Sequence, residues 1–242
     1  DQIHNFAHNN EWLCRNLVTI GRASEAVALA RNMISLPRHP KYNTLAKRGG
    51  SASYGHKRLL SALEQFEMWE ELAALCESGE LEALPDVGES RRRLQLLGVA
   101  HFKNGRREKG DEVIARIRPM LESKLPPEPK KATDASKKPG APDDKKTKPE
   151  PKNKKPDPKK AAAAKKEAEE RKKKEAEEKK RITYAKNALA ELKVHQLLAQ
   201  GKREDAKAAL ADAKSMNKVR RAQAYLAAGQ KEEAAKIAAS LV

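Results

Sequence analysis

A pair of short amphipathic helices, predicted over residues 11–37, constrains the fold of this chain more than any other stretch. Leu13, Leu17 and Ile20 follow one another at intervals of four and three residues, which is the spacing of a single buried stripe on a helix. Gly21 comes next, and glycine takes the positive φ that commonly ends a helix. We therefore predict a first helix that buries these three side chains and stops at Gly21.

A second helix is predicted to start immediately after this turn. Ser24 is a candidate N-cap, and Glu25 places an acid in the first turn, where it favours the helix dipole. Pro37 closes the unit. Small residues at the start of the apolar side let the two helices approach closely. The residues predicted on that side are Ala26, Ala30, Met33 and Ile34.

Related helix pairs recur along the chain. Glu67 holds the turn position of the second pair and Gly105 that of the third, as Gly21 does in the first. Gly201 and Gly229 are the turn residues of the last two pairs. A pair of this size cannot bury its apolar side alone, so neighbouring pairs must stack on one another. We therefore predict an all-α protein built from stacked helix pairs.

The first pair resembles the tetratricopeptide repeat, which has Leu-Gly-x-x-Tyr on its first helix, a turn glycine, small residues on its second helix and a closing proline. Cys14 stands where the family usually has glycine. The segments LGVAHF (97–102) and AYLAAGQKEEAAKIA (224–238) carry the same order in later pairs. The matching residues of the first pair are Leu13, Leu17, Gly21, Ala26, Ala30 and Pro37. The resemblance implies an α-solenoid whose first helices line a groove for a protein partner.

Residues 123–158 interrupt the helix pairs. Nine of the 13 prolines lie in this segment, among Lys, Asp and Ala. Such a composition cannot bury enough apolar surface to fold, so we expect a disordered linker there.

A single long helix is predicted from residue 159 to about residue 200. Its first half has no apolar stripe and is supported only by i,i+4 ion pairs such as Glu167–Arg171 and Glu169–Lys173. An apolar stripe begins at Ile182. The predicted organisation is therefore a repeat region at 1–122, a basic linker at 123–158, and a charged helix leading into the last helix pairs at 159–242.

No catalytic, cofactor or metal-binding motif is recognisable in the sequence. His4 and His8 lie four residues apart, but no carboxylate accompanies them in a metal-binding pattern. No run of about 18 apolar residues is present to cross a membrane. We therefore predict a protein that is not an enzyme and that holds no cofactor and no metal.

The formal net charge is +17, and residues 123–182 hold 22 Lys and Arg against 12 Asp and Glu, which is +10 of that total. A basic segment of this kind could bind nucleic acid or another polyanion by neutralising phosphates. Its composition also resembles the spacers of bacterial envelope proteins, so the compartment stays open between the cytoplasm and the cell envelope. Because the chain begins at Asp1 without Met, we further consider that it is an accessory region of a larger enzyme.

The prediction we favour is a scaffold that binds proteins, with a preference for acidic peptides. On the tetratricopeptide pattern, groove-facing positions of the first three pairs are mostly cationic or aromatic, and cationic side chains suit carboxylates. Two aromatic rings could provide apolar contacts. The predicted peptide-binding residues are Arg15, Tyr54, Lys57, Arg92, Phe102 and Lys103.

Overall fold

A computed structural model of the chain describes residues 2–122 and 158–241, and every regular element in those residues is helical. The prediction of an all-α class is therefore confirmed. The predicted disordered linker, 123–158, lies outside the described residues except for Pro158. The helices are α1 Gln2–Thr19, α2 Ala23–Ser35, α3 Ser51–Gln65, α4 Trp69–Glu77, α5 Val87–Lys103, α6 Arg107–Ile117, α7 Pro158–Ala199, α8 Arg203–Leu210, α9 Lys218–Ala227 and α10 Lys231–Ala239, with one 3₁₀ turn at Arg118–Leu121.

Five helix pairs are joined by the same tight turn. The first helix of each pair ends at a residue with positive φ, and the next amide donates to the carbonyl five residues before it, as Arg22 N does to Leu17 O at 2.9 Å. This is the bonding of a Schellman motif, which satisfies carbonyls that a helix end leaves free. The turn residues are Gly21, Glu67, Gly105, Gly201 and Gly229, as predicted, and Glu67 takes φ 55° without being glycine.

The helix α1 differs from its prediction in length and in the side that it buries. It starts at Gln2, and Leu13 and Ile20 are 49% and 65% exposed, so the predicted stripe was wrong at these two residues. The buried side carries Ala7, Cys14 and Leu17 instead. The small Cys14 lies where α1 and α2 approach closely, and its thiol donates to Ala26 O at 3.4 Å. Both α2 and α3 pack on this side. Leu13 and Ile20 lie away from it and are therefore exposed.

The predicted N-cap of α2 was also wrong. Ser24 lies inside the helix, which begins at Ala23, and Arg22 holds the cap position without a side-chain bond. The turn itself fixes this start, because Ala23 N donates to Gly21 O at 3.0 Å. The backbone of the turn therefore sets the start of α2 at Ala23 without a capping side chain.

The chain divides into two compact units, one of Asp1–Leu121 with Thr183–Val242 and one of Glu122–Ile182. The long predicted helix is confirmed as α7, which runs through both ranges. Between residues 166 and 180 of the smaller unit most side chains of α7 are exposed. The predicted pair Glu169–Lys173 is present at 3.4 Å, whereas Arg171 pairs with Glu175 at 2.9 Å.

The larger unit contains one core shared by its two chain segments. Leu192 of α7 packs on Gly98 of α5, since a Cβ at Gly98 would meet Leu192 Cδ2 at 2.7 Å. Gln196 donates to Asp111 of α6 at 2.6 Å. Residues 183–199 therefore cover α5 and α6. A smaller cluster with Leu210 and Met216 continues under α8 and α9.

Candidate functional site

A pocket of about 430 Å³ opens between α3, α5 and the start of α9. It lies within the larger unit and combines acidic, basic and amide side chains. Its lining residues are Ser61, Glu64, Gln65, Glu67, Arg92, Asn217, Val219 and Arg220. We take it as the candidate functional site because ligand sites are concave and contain a few convergent polar groups.

The acidic side of the pocket comes from α3 and its turn. Ser61 and Glu64 lie three residues apart and therefore on one face of α3. Glu67 follows at the turn with positive φ, and its carboxylate accepts a hydrogen bond from the Gln223 side chain of α9. The turn that ends α3 thus positions a second carboxylate beside the first.

The basic side comes from the first turn of α9. The Asn217 side chain accepts from Val219 N at 2.9 Å and from Arg220 N at 3.3 Å, and this cap fixes the start of the helix. Arg220 then reaches Glu64 of α3 and, at 2.7 Å from Nε to Oε1, Glu191 of α7. Arg220 is only 7% exposed, so a buried cation joins the two chain segments of the larger unit.

Glu191 completes this buried network behind the pocket. It is 1% exposed, and its second oxygen accepts from Gln95 Nε2 of α5 at 2.5 Å. His195, one turn further along α7, has its Nε2 at 3.9 Å from Glu191 Oε1. A buried carboxylate is tolerated here because a guanidinium and an amide bind its two oxygens.

The pKa shifts in the network have opposing causes. Burial alone would lower the pKa of Arg220, but the carboxylates of Glu191 and Glu64 outweigh it and raise that pKa. Burial alone would raise the pKa of Glu64, but Arg220 and Arg92 outweigh it and lower that pKa. The pKa of His195 is lowered to about 3, first by burial and then by the cations Lys103 and Arg220. Glu64 and Arg220 are therefore ionised and His195 is neutral at neutral pH.

The pocket includes Arg92 from the predicted peptide-binding set, and Lys57 lies near it. Arg92 pairs with Glu64 and has a guanidinium nitrogen at 3.3 Å from Ser61 Oγ. Glu89 lies between the two cations, at 3.9 Å from Lys57 Nζ and 3.7 Å from Arg92. The structure thus brings Lys57 and Arg92 together, but it also supplies acids that neutralise them.

The remaining predicted residues lie apart from the pocket. Arg15 and Lys103 are exposed, and Tyr54 is half-buried. Phe102 is only 4% exposed, and its ring lies against Gly110 of α6. The prediction that Phe102 faces a groove is therefore corrected: its ring belongs to the contact between α5 and α6.

Sequence analysis missed the three residues that form the centre of the site, Glu64, Glu191 and Arg220. One of them left a signal in the sequence. Glu191 lies beside Leu192 and three residues after Ala188, within the apolar stripe of α7. An acid in an apolar stripe needs a buried partner. Glu64 and Arg220 could not be paired from a local pattern, because they lie 156 residues apart in the sequence.

The described residues contain no group of three or more His, Cys, Asp and Glu side chains arranged to hold a metal ion. Within the same residues, no helix has the length and apolar content needed to cross a membrane.

No match was found when the chain was compared with protein-family models, with curated proteins and with solved structures. The function of this chain must therefore be inferred from its own residues and contacts.

Proposed function

We propose that this chain is a non-catalytic helical-repeat module, similar to tetratricopeptide repeats, that binds other proteins. The observation that carries this proposal is the same turn found five times, each with a positive-φ residue and the same backbone bonds. A buried residue follows five positions after each turn. These residues are Ala26, Leu72, Gly110, Ala206 and Ala234. Repetition at this level favours a stack of similar units, and such stacks commonly present extended binding surfaces.

Polar contacts between first helices of different pairs support a common binding face. Arg58 of α3 pairs with Glu11 of α1, and Gln95 of α5 bonds Glu191 of α7. Glu11, Gln95 and Glu191 all lie ten residues before the turn of their own pair. In two places, therefore, the polar residue ten positions before a turn contacts the first helix of another pair, which supports a common side in the proposed stack.

An acidic peptide is the partner that we propose for this face. It would have to replace Glu89 and Glu64 as the partners of Lys57 and Arg92. Ion pairs within the chain would be replaced by ion pairs with the peptide. A net gain in binding free energy therefore depends on the peptide presenting two or more carboxylates at once. A partner with a single carboxylate is expected to bind weakly.

Fluorescence anisotropy with labelled peptides tests this proposal on the full chain. We expect peptides with clustered acids to bind more tightly than neutral peptides, and Lys57→Glu with Arg92→Glu to lose that preference. Lys172→Glu with Lys180→Glu is the matched control, since both are exposed cations of the smaller unit and the net charge changes equally. Equal binding by both double variants would refute a role for Lys57 and Arg92.

Binding of nucleic acid is a second candidate function, favoured by the exposed cations of α7. Lys172, Lys173 and Lys174 are followed by Lys179 and Lys180, and all five are exposed. Titration of a single-stranded oligonucleotide should then show affinity that falls steeply with salt, by about 0.7 log units per tenfold salt for each phosphate contacted. The Lys172→Glu and Lys180→Glu double variant should weaken this binding, whereas Lys57→Glu with Arg92→Glu should weaken it much less.

A further inference from the structure

One of the five turn residues is not a glycine. Glu67 takes φ 55°, whereas the four glycines at the corresponding turns of the other pairs take φ between 73° and 82°. A Cβ disfavours this left-handed region, and glycine has none. Within the described ranges, Glu67 is the one residue other than glycine with positive φ. Residues held in such backbone regions are concentrated at functional sites, and Glu67 lines the pocket.

Glu67 is also the acid of the pocket that is not paired with a cation. The ion pairs in and around the pocket join three carboxylates to three basic side chains. Their members are Glu64, Glu89 and Glu191 on the acidic side and Lys57, Arg92 and Arg220 on the basic side. Glu67 forms no ion pair with any described residue, and the hydrogen bond that it accepts comes from the neutral amide of Gln223. Its negative charge is therefore not compensated within the pocket.

The amide that binds Glu67 adds a second acceptor without a partner. Gln223 donates from Nε2 to Glu67, and its Oε1 is buried and accepts no hydrogen bond from the described part of the chain. Unsatisfied buried acceptors are rare because they cost free energy. The surroundings of Glu67 therefore contain more acceptors than donors, which favours a ligand group that donates hydrogen bonds and carries positive charge.

An apolar wall lies next to these acceptors. Val219 lines the pocket and is 48% exposed. It lies four residues before Gln223, so the two side chains are on one face of α9 with their Cβ atoms about 5–6 Å apart. Lysine and arginine carry a charged group at the end of a stem of three or four methylene groups, and the stem packs on apolar surface. Such a side chain can cover Val219 while its charged end reaches Glu67.

We propose that the pocket binds a lysine or arginine side chain, with its stem on Val219 and its charged end on Glu67. That this side chain belongs to a peptide rests on the peptide binding proposed above. The two arginines of the pocket do not exclude a cation, since both are already bound to carboxylates. The preferred partner is then an acidic segment that also contains one basic residue.

Titration of the full chain with N-acetyl-arginine N-methylamide, followed by NMR, tests the site without a peptide partner. We expect the methyl signals of Val219 and the side-chain amide signals of Gln223 to shift together and to saturate. The matching citrulline derivative has nearly the same shape and no charge, and it should bind at least about tenfold more weakly, because hydrogen bonds between charged groups are the stronger ones. Equal binding of both derivatives, or no shift at these two residues, would overturn the proposal.

Glu67→Gln tests the role of the carboxylate, because it removes the charge but keeps an oxygen that can accept from Gln223. It should abolish the preference for the arginine derivative over the citrulline derivative. Glu70→Gln is the matched control, since the side chain of Glu70 is 84% exposed and the net charge changes equally; it should bind like the unmodified chain. A preference that survives in Glu67→Gln would exclude the site. If circular dichroism shows Glu67→Gln unfolded, Glu67→Gly replaces it, with the residue type found at the other four turns.

Peptide anisotropy separates this inference from the proposed function. Two acidic peptides that differ only in having arginine or citrulline at one position are compared on each protein. The arginine peptide should bind more tightly to the unmodified chain and to Glu70→Gln, and the difference should be lost in Glu67→Gln. Equal affinity of the two peptides for the unmodified chain would refute the basic side-chain site and leave peptide binding intact. If neither peptide binds while the arginine derivative does, peptide binding fails and the site stands.

Discussion

At the scale of single residues, Gly55 shows how closely the first two pairs approach. A Cβ at this position would meet Ala30 O at 2.8 Å and Ile34 N at 3.0 Å. Backbone atoms cannot rotate away, so Gly55→Ala should destabilise the fold by about 1–2 kcal/mol, despite the gain of about 1 kcal/mol that alanine brings to a helix. Urea denaturation measures this difference.

The matched control is Gly88→Ala in the first turn of α5. Among the described residues, its Cβ would approach only Asp86 Oδ1, at 3.2 Å. We expect a smaller effect there than at Gly55, because the neighbouring atom belongs to a side chain that can shift by a few tenths of an ångström. Equal effects of the two substitutions would show that helix propensity rather than the close contact at Gly55 decides the outcome.

His195 should make the stability of the larger unit depend on pH. Its pKa is lowered from 6.5 to about 3, first by burial. The unfolded chain therefore binds a proton below pH 6.5 that the folded chain does not bind. The stabilisation that comes from burying neutral His195 is therefore complete above pH 6.5, and it is lost as the pH falls towards 3. Between pH 6.5 and 5 the loss is expected to be about 2 kcal/mol.

Urea denaturation at both pH values measures this loss, and His195→Gln should reduce it. Part of the dependence should persist in the variant, because burial also lowers the pKa of His56, to about 4. His56→Gln combined with His195→Gln should then remove most of it. If the double variant has the same pH dependence as the unmodified chain over this range, the buried histidines are not its cause.

At the scale of secondary-structure elements, the helices differ in whether the side chain of the N-cap residue accepts hydrogen bonds from the first backbone amides. Asp86 accepts from Gly88 N at 3.0 Å and Glu89 N at 3.1 Å at the start of α5, and Asn217 caps α9. Asp86→Ala and Asn217→Ala should each destabilise by about 1 kcal/mol. Ser24→Ala should change stability by less than about 0.5 kcal/mol, because α2 begins without a side-chain cap. Thermal denaturation of the three variants compares them, and a loss at Ser24 as large as at Asp86 would contradict the assignment.

At the scale of the whole larger unit, Arg220 links the two chain segments that form it. Arg220→Met leaves Glu64 and Glu191 without their shared cation, and breaking a buried pair in this way typically costs about 3–5 kcal/mol. Hydrogen exchange in urea should show α3 and α9 losing protection together, at a lower urea concentration than in the unmodified chain.

The companion variant Glu191→Gln with Arg220→Met tests the electrostatic cause. Glu64 keeps Arg92 as a partner, so Glu191 is the acid that Arg220→Met leaves without a cation, and removing its charge should recover part of the lost stability. If α9 alone loses protection while α3 keeps that of the unmodified chain, the segments unfold independently, as neighbouring units of a repeat stack can.

Local features of the sequence predicted the helices and turns. A glycine with positive φ ends a helix through bonds to the preceding turn alone, so Gly21, Gly105, Gly201 and Gly229 marked their turns without knowledge of the rest of the chain. Oppositely charged residues four positions apart, followed by an apolar stripe from Ile182, likewise predicted α7. Both signals depend on residues within one or two helical turns of each other.

Tertiary structure decided which helix side is buried and which charges meet. Periodicity shows that α1 has an apolar stripe, but the positions of α2 and α3 determine that Cys14 is covered and Leu13 exposed. The contact of Glu64 with Arg220 joins residues 156 positions apart, so no local pattern could predict it. The sequence by itself therefore determined the helices, whereas the charged site exists only because long-range packing brings the two segments of the larger unit together.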